Sequence, residues 1–378
     1  MTQPRIAQLA NFVGPTSGGM KHAVNALGAG YVEAGVDRVL VVPGSRDLRY
    51  STEHGDVVQL RAPKFGNGYR LIVEPWRVAE ALDAFAPTSV EVSDKLTLLP
   101  VARWARRNDV RSVLFSHERL DAMLALRTRR PTTSVVSIGA LNRILVRQFD
   151  SIVVTSRYAL GEFAAPAARV GTPIHQVALG VDLELFHPAA HRPPAGPLRL
   201  ALVGRLSREK SPHLAVATAV ELHRRGVPLQ LDVYGDGPHR GELEQLVGSA
   251  PVVFHGHVAS RPHLAARIAR ADIALSVCPA ETFGLAVLEA LAAGTPVVTA
   301  DEGGARELVD ESCGEWGRPE AGALADAVLR LAARPRASTR EAARYRAELF
   351  PWKQTVEAML AVHTGGQTAT GVRSRRPA

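Results

Sequence analysis

A chain of 378 residues is longer than one ordinary hydrophobic core serves and suits two α/β domains. Its apolar share of 46% and charged share of 22% exclude intrinsic disorder, and no apolar run reaches the roughly 18 residues that a membrane helix requires. The formal charge of +8 is concentrated: between Lys95 and Arg147, eleven Lys and Arg stand against only Asp109, Glu118 and Asp121. Such a patch suits acidic lipid, a phosphorylated substrate or nucleic acid; the plainer alternative is a solvated basic surface.

Read in chain order, short β-branched runs at 6–9, 39–42, 113–116 and 152–155 predict buried strands. Apolar spacing predicts helices over 21–35, 77–85 and 98–108. The stretch 188–197, PAAHRPPAGP, predicts a linker. The alternation then resumes, with strands predicted at 198–203, 229–234, 252–255, 273–276 and 297–300, and helices at 212–225, 240–248, 262–270 and 284–293. A helical stretch at 340–363 carries a bend at Phe350, Pro351 and Trp352, and the polar, basic tail 364–378 is predicted disordered.

Two βα arrays predict an α/β protein of two doubly wound, Rossmann-like parallel-sheet domains facing across a cleft. They occupy 1–187 and 198–350, with 351–363 returning to the first as a C-terminal helix. Ligands of such sheets sit at the carboxyl ends of strands, so the chemistry is expected in the loops that follow them. Two cysteines, Cys278 and Cys313, supply neither a disulfide framework nor a metal cluster. The opening MTQPRIAQLANF lacks the pattern of a secretion signal, so the reading is the reducing cytoplasm.

After the strand at 273–276 the chain passes Pro279 to Glu281-Thr282-Phe283-Gly284-Leu285-Ala286-Val287-Leu288-Glu289, and then, past an Ala-rich helix, to Gly294-Thr295-Pro296-Val297-Val298. The first turn of that helix contains Phe283, Gly284 and Leu285, whose free amides suit a phosphate or sugar hydroxyls. Glu281, before the helix, is placed to accept from sugar hydroxyls; Glu289, close to two turns further in, is placed to reach a ribose diol. Two incidental glutamates on a capped helix are the bland alternative, and the strand–loop–helix–strand setting argues against it.

After the strand at 198–203 comes Gly204-Arg205-Leu206-Ser207-Arg208-Glu209-Lys210. Arg205 and Lys210 together have the charge to neutralise a diphosphate in place of a metal, although such a pair is more often surface charge. Gly18 and Gly19, closing Phe12-Val13-Gly14-Pro15-Thr16-Ser17-Gly18-Gly19, let backbone amides approach a phosphate or sugar; alone, paired glycines mark a turn. His117 ends a strand, with Glu118 the weaker candidate beside it, and a lone histidine is usually structural. His255 and His257 alternate in Phe254-His255-Gly256-His257-Val258, but no third ligand accompanies them and no metal is expected.

These segments together resemble glycosyltransferase family 4. The E-x7-E signature falls on Glu281 and Glu289, and the match runs on through Gly294-Thr295-Pro296-Val297-Val298 to Gly303, Gly304 and Glu307. Tyr234-Gly235-Asp236-Gly237-Pro238 also resembles a family segment, and Ser211 departs from the glycine that many relatives carry after the lysine. The resemblance covers Asn11 to about Trp352 and is strongest in the second half. It implies a GT-B fold and a metal-independent, retaining transfer of a hexose from a nucleotide sugar, with no further cofactor. By the same resemblance Glu281 contacts the transferred sugar, Glu289 the ribose, Arg205 and Lys210 the diphosphate, and His257 and Val258 the base. Gly18 and Gly19 are implied to contact the donor, and His117 the transferred sugar.

Ala10-Asn11-Phe12-Val13-Gly14-Pro15, Ser17-Gly18-Gly19 and Val41-Val42-Pro43-Gly44 resemble the actinobacterial GDP-mannose-dependent α-mannosyltransferases acting on phosphatidylinositol mannosides. This implies GDP-mannose as donor, an anionic lipid acceptor, and a place at the inner face of the plasma membrane. A UDP-sugar glucosyltransferase with a soluble acceptor is the alternative within the family. Outside it stand a sugar-nucleotide epimerase and a basic nucleic-acid-binding protein, the latter without a recognition motif. Trp104 among Arg103, Arg106, Arg107 and Arg111, with Arg127, Arg129 and Arg130 nearby, has the composition of a peripheral membrane contact. Arg46, Arg61, Lys64 and Arg70 are candidate phosphate contacts for the acceptor.

Overall fold

The computed structural model of the chain describes residues 3–11, 18–65, 69–120, 131–189 and 196–366. Two compact units are present, one drawn from Met1–Asp121, Thr132–Leu179 and Trp352–Ala378, the other chiefly from Gly180–Pro351.

The first unit runs β1 (Arg5–Leu9), α1 (Gly19–Glu33), β2 (Asp37–Gly44), the hairpin β3 (Leu48–Thr52) and β4 (Gly55–Arg61), the short pair β5 (Lys64–Phe65) and β6 (Tyr69–Arg70), and α2 (Pro75–Phe85). It continues with β7 (Ser89–Val92), α3 (Leu99–Arg107), β8 (Arg111–Ser116), α4 (Pro131–Gln148), β9 (Ser151–Val154), α5 (Arg157–Val170) and β10 (Ile174–Gln176). Its sheet has the order β10-β9-β8-β7-β1-β2-β4-β3, parallel except where β3 meets β4. Strands such as β8 and β9 are buried almost throughout, as parallel strands covered on both faces must be.

The second unit contains β11 (Leu198–Val203), α6 (Pro212–Arg224), β12 (Leu229–Tyr234), α7 (Arg240–Leu246), β13 (Val252–Gly256), α8 (Arg261–Ala269) and β14 (Ile273–Ser276). After these come α9 (Leu285–Ala292), β15 (Val297–Ala300), β16 (Gly314–Gly317), α10 (Ala321–Ala332) and α11 (Arg336–Glu348). The order β13-β12-β11-β14-β15-β16 is parallel throughout and reverses direction between β11 and β14. Leu200, Leu202, Leu231 and Val233 point to one face of this sheet, into a core shared with α6 and α10.

Most predicted elements fall within a residue or two of the observed ones, and the strands at 198–203, 229–234, 273–276 and 297–300 coincide. The hairpin β3–β4, strands β7, β10 and β16, and helices α4, α5 and α10 were outside the sequence expectation. The helical stretch at 340–363 divides into α11 and a last helix, α12 (Trp352–His363), because Pro351 cannot sit in a helix interior.

Helix α12 packs on α1 and delivers His363 into a buried polar network. The β7 carboxylate Glu91 accepts from Tyr31 Oη at 2.8 Å and Gln8 Nε2 at 2.9 Å, and stands 3.1 Å from His363 Nε2. His363 Nδ1 meets Ser89 Oγ at 2.7 Å, and Arg38 Nε donates to Gln8 Oε1 at 2.8 Å. Burial alone would push the Glu91 carboxyl up; hydrogen bonding and charge from His363, with the bonds from Gln8 and Tyr31, overcome it and hold the group below its ordinary 4.5. That contribution to stability is complete at neutral pH and is lost as pH falls through the acidic range. Removing His363 takes a partner from a buried, hydrogen-bonded carboxylate, so His363→Ala is expected to cost about 2 kcal/mol or more in denaturant unfolding at pH 7. A loss below about 1 kcal/mol, the scale of an exposed pair, would contradict this role.

Candidate active site

Right-handed crossovers leave β11 toward β12 on one side and enter β14 on the other, so the loops leaving β11 and β14 diverge and open a crevice at the strand ends. Two glycines set the first wall. Gly204 N donates to Tyr234 O at 3.0 Å and Leu206 N to Asp236 O at 3.1 Å, which lays the β12 exit loop against the β11 exit loop. A Cβ on Gly235 or Gly237 would collide with the carbonyls of Gly204 and Leu206. Arg205 is carried on this wall, followed by a single 3-10 turn, Arg208–Lys210. Ser211, which joins that turn to α6, has φ +47°, the left-handed region where glycine is preferred. A glycine, which the resemblance leads one to expect here, takes this conformation without strain.

The second wall is the β14 exit loop. Cys278 Sγ donates to Glu209 O at 3.1 Å and ties the two walls together. Gly304 N donates to Glu281 O at 2.6 Å, and Gly303, at φ +90°, leaves no room for a Cβ beside Pro279 O. Glu281 is thus fixed by its backbone, and its carboxylate receives Lys210 Nζ at 3.0 and 2.9 Å. Gly284, left-handed at φ +103°, starts α9, whose first amides have no intrahelical acceptor. Phe283 is buried beneath this turn, and Leu285 opens the helix.

Glu289 has a partner that the motif does not reveal. It projects from the buried face of α9, is only 8% exposed, and is paired with Arg261 Nη2 at 3.0 Å. Burial raises its pKa while Arg261 opposes the shift. Arg261 also sits 5.1 Å over the Phe186 ring, so a ribose would have to share Glu289 with an established partner. Val258 packs with Val203 and Leu264 beyond the end of β13, and His257 is exposed beside it. His255 does not pair with His257; its Nε2 meets Asp232 Oδ1 at 2.7 Å and its ring stacks on Tyr234. Among the described residues no group of three or more His, Cys, Asp and Glu could hold a metal ion.

In the first unit Gly18 forms the N-cap of α1 and Gly19 begins it; residues 12–17 lie outside the described residues. Among the described residues, a Cβ on Gly18 would meet nothing within 4 Å. His117, at the end of β8, lies 4.1 Å from the Phe115 ring and 3.1 Å from Ser93 Oγ. Burial pulls its pKa down to about 4, Lys95 adding to the shift and Glu91 opposing it, so the imidazole is neutral at pH 7. Sequence reasoning missed Ser93 and the buried pair Lys95–Glu162 at 2.7 Å below His117. No spacing rule joins groups 67 residues apart. Glu118 is exposed, and its carbonyl accepts from Lys95.

The basic group around Trp104 is tied to partners within the first unit. Trp104 packs against the core and donates from Nε1 to Asp83 at 2.9 Å, while Arg106 is spent on the carbonyls of Arg147 and Gln148. Arg127, Arg129 and Arg130 lie outside the described residues. Exposed apolar side chains stand instead at Val73, Trp76 and Leu96. Asn11 brings the first and last together, binding Ile72 N and the Asp94 carboxylate. Arg77, beside Trp76, bonds to the Arg61 carbonyl and to Asp47, which keeps exposed Arg61 and Arg46 near this group. Lys64 is also exposed, and Arg70 donates to Ala62 O. No helix of the described residues is long and apolar enough to cross a membrane.

The Lys210–Glu281 pair is partly exposed, and such pairs add only about 0–1 kcal/mol to stability. Lys210→Ala is therefore expected to leave Tm nearly unchanged while weakening GDP binding about tenfold or more in calorimetry. Unchanged GDP affinity would contradict the placement of a diphosphate here.

Two family models match the chain: "Glycosyl transferase 4-like domain" over residues 18–180 and "Glycosyl transferases group 1" over 197–334. A GDP-mannose-dependent alpha-(1-6)-phosphatidylinositol dimannoside mannosyltransferase of Mycobacterium tuberculosis is 38% identical over 384 residues, covering 98% of each chain. Among solved structures, sucrose-phosphate synthase from Thermosynechococcus elongatus matches with a TM-score of 0.77 at 21% identity, over 96% of this chain and 99% of that one. HepE of Anabaena, in complex with UDP and glucose, matches at a TM-score of 0.73 and 17% identity, over 96% and 99%.

Proposed function

The chain belongs to the glycosyl transferases group 1 family, with the GT-B fold, and from that premise we propose that it moves mannose from GDP-mannose to a phosphatidylinositol mannoside-type lipid with retention of anomeric configuration. That it is a glycosyltransferase follows from the family; the donor and acceptor are the proposed part. The observation that carries them is the near full-length identity to the mycobacterial mannosyltransferase.

The chemistry follows from the crevice. The donor diphosphate lies against Arg205 and Lys210, with the first amides of α9 adding donors at its oxygens. Two cationic side chains then take the part a divalent metal plays elsewhere. Glu281 turns from Lys210 to the sugar hydroxyls once phosphate competes for the ammonium, which a partly exposed pair allows. The bond from the anomeric carbon to the phosphate oxygen breaks, the acceptor oxygen bonds to that carbon on the same face, and the departing phosphate takes the acceptor's proton. A neutral His117 suits hydrogen bonding to the transferred sugar rather than charge stabilisation. Among the described residues nothing crowds a Cβ at Gly18, which fits a ligand that approaches the backbone there. Val73, Trp76 and Leu96, with Arg46 and Arg61 near them, have the composition that meets an anionic lipid surface.

The test is transfer of labelled mannose from GDP-mannose to phosphatidylinositol mannoside, presented in vesicles and in detergent. The wild-type chain is expected to yield labelled lipid, and Glu281→Ala to lower turnover about a hundredfold or more with its Tm intact. Trp76→Ser is expected to slow transfer to the vesicle-borne acceptor alone. Transfer from UDP-glucose but not GDP-mannose would keep the family and overturn the donor. Equal rates for Trp76→Ser in both formats would remove the membrane-facing role.

A further inference from the structure

The face of the second sheet opposite its apolar core carries a cavity of about 490 Å3 that none of the donor-site residues lines. Alternation along the strands sends Arg199 and Ala201 of β11 and Gln230, Asp232 and Tyr234 of β12 to this face. His255 of β13 joins them, and α8 with the residues after it contributes His263, Ala266, Arg267, Arg270 and Ala271. The three alanines leave the hollow, and the long side chains wall it.

Charge in this hollow is unbalanced. Its one carboxylate, Asp232, is already held by His255 Nε2 at 2.7 Å and by Gln230 Nε2 at 3.0 Å. Arg267 lies 5.5 Å over the Tyr234 ring. The nearby Asp272 is committed elsewhere: it accepts from the Arg199 backbone amide at 2.9 Å and pairs with Arg336. Among the described residues, no carboxylate forms an ion pair with Arg199, Arg267 or Arg270. Three arginines, Arg199, Arg267 and Arg270, line one concave surface beside a stacked Tyr234–His255 pair, whose ring centroids are 4.8 Å apart. Guanidinium forks match phosphate oxygens two at a time, and an aromatic edge offers a flat wall to whatever the phosphate is attached to.

We propose that this cavity is a second anion site, separate from the donor crevice, which takes a small phosphate-bearing molecule. Its position gives such a ligand a route to the donor site. Tyr234 and His255 directly precede Gly235 and Gly256, which are joined by a backbone bond of 2.8 Å, and Gly235 abuts Gly204 next to Arg205. Occupancy therefore bears on the loops that carry Arg205 and His257, and the site has the placement of a regulatory one.

The experiment is calorimetric titration of inorganic pyrophosphate into the full chain with the donor crevice saturated by GDP. Pyrophosphate is expected to bind, and the Arg199→Ala/Arg270→Ala double variant to weaken it about tenfold or more while GDP affinity and Tm stay at wild-type values. If GDP itself does not bind, the titration is run on Lys210→Ala, so that failure of the donor reading is distinguished from failure of this one. A parallel arm measures sedimentation with phosphatidylinositol vesicles. Arginine-dependent binding of pyrophosphate without vesicles identifies a soluble phosphorylated ligand, and arginine-dependent vesicle binding identifies a lipid headgroup. Pyrophosphate binding that the double variant leaves unchanged, or binding to neither probe, overturns the proposal.

Discussion

A parallel sheet built from right-handed crossovers has one place where consecutive loops part, and in the second unit that place lies between β11 and β14. The chemistry of the unit depends on it. The loop from β11 brings Arg205 and Lys210, the loop from β14 brings Glu281 and the start of α9, and Lys210 meets Glu281 where the loops part. Glycines at 235, 237, 284 and 303 serve the backbone of these loops. Those at 235, 237 and 303 let backbones approach closely, and Gly284 turns left-handed to start α9, which holds the reacting side chains in register. The functional residues are thus cheap in number, and the scaffold that positions them is most of what the motif specifies.

The first unit solves a different problem, which is to bury charge. Glu91 in β7 and Lys95 just after it are both almost fully enclosed, each with partners from distant segments. Their fields act in opposite directions on His117, and burial adds to the Lys95 effect, which keeps that ring neutral. The same carboxylate that anchors α12 through His363 therefore also tunes a candidate sugar-binding residue one strand away. Structure and chemistry share one buried network here.

Local patterns made the second unit legible. Runs such as LRLALV and LQLDVY show a strand period, and the segment from Glu281 to Glu289 sits in a strand–loop–helix setting that periodicity alone reveals. Patterns failed where burial is polar or exposure is complete. SVEV reads as a half-exposed strand at best, yet all four residues of β7 are buried, because Tyr31, Gln8 and His363 satisfy Glu91 from far away in sequence. LRYST in β3 carries almost no buried side chain and gives no core signal. Trp104 among arginines looked outward by composition; in the fold it is half-buried, with its Nε1–H on Asp83 of the preceding helix. Glu289 matched a motif whose spacing says nothing of Arg261, its partner from another helix. In each case the deciding group is a tertiary neighbour, which no window along the chain contains.

The most direct measurement is a structure of the chain determined with GDP bound. The account predicts the diphosphate between Arg205 and Lys210 at the crevice where the β11 and β14 loops part, near the first amides of α9, with Lys210 Nζ drawn away from Glu281. A diphosphate seated elsewhere, above all in the cavity of Arg199, Arg267 and Arg270 with the Lys210–Glu281 pair intact, would contradict it.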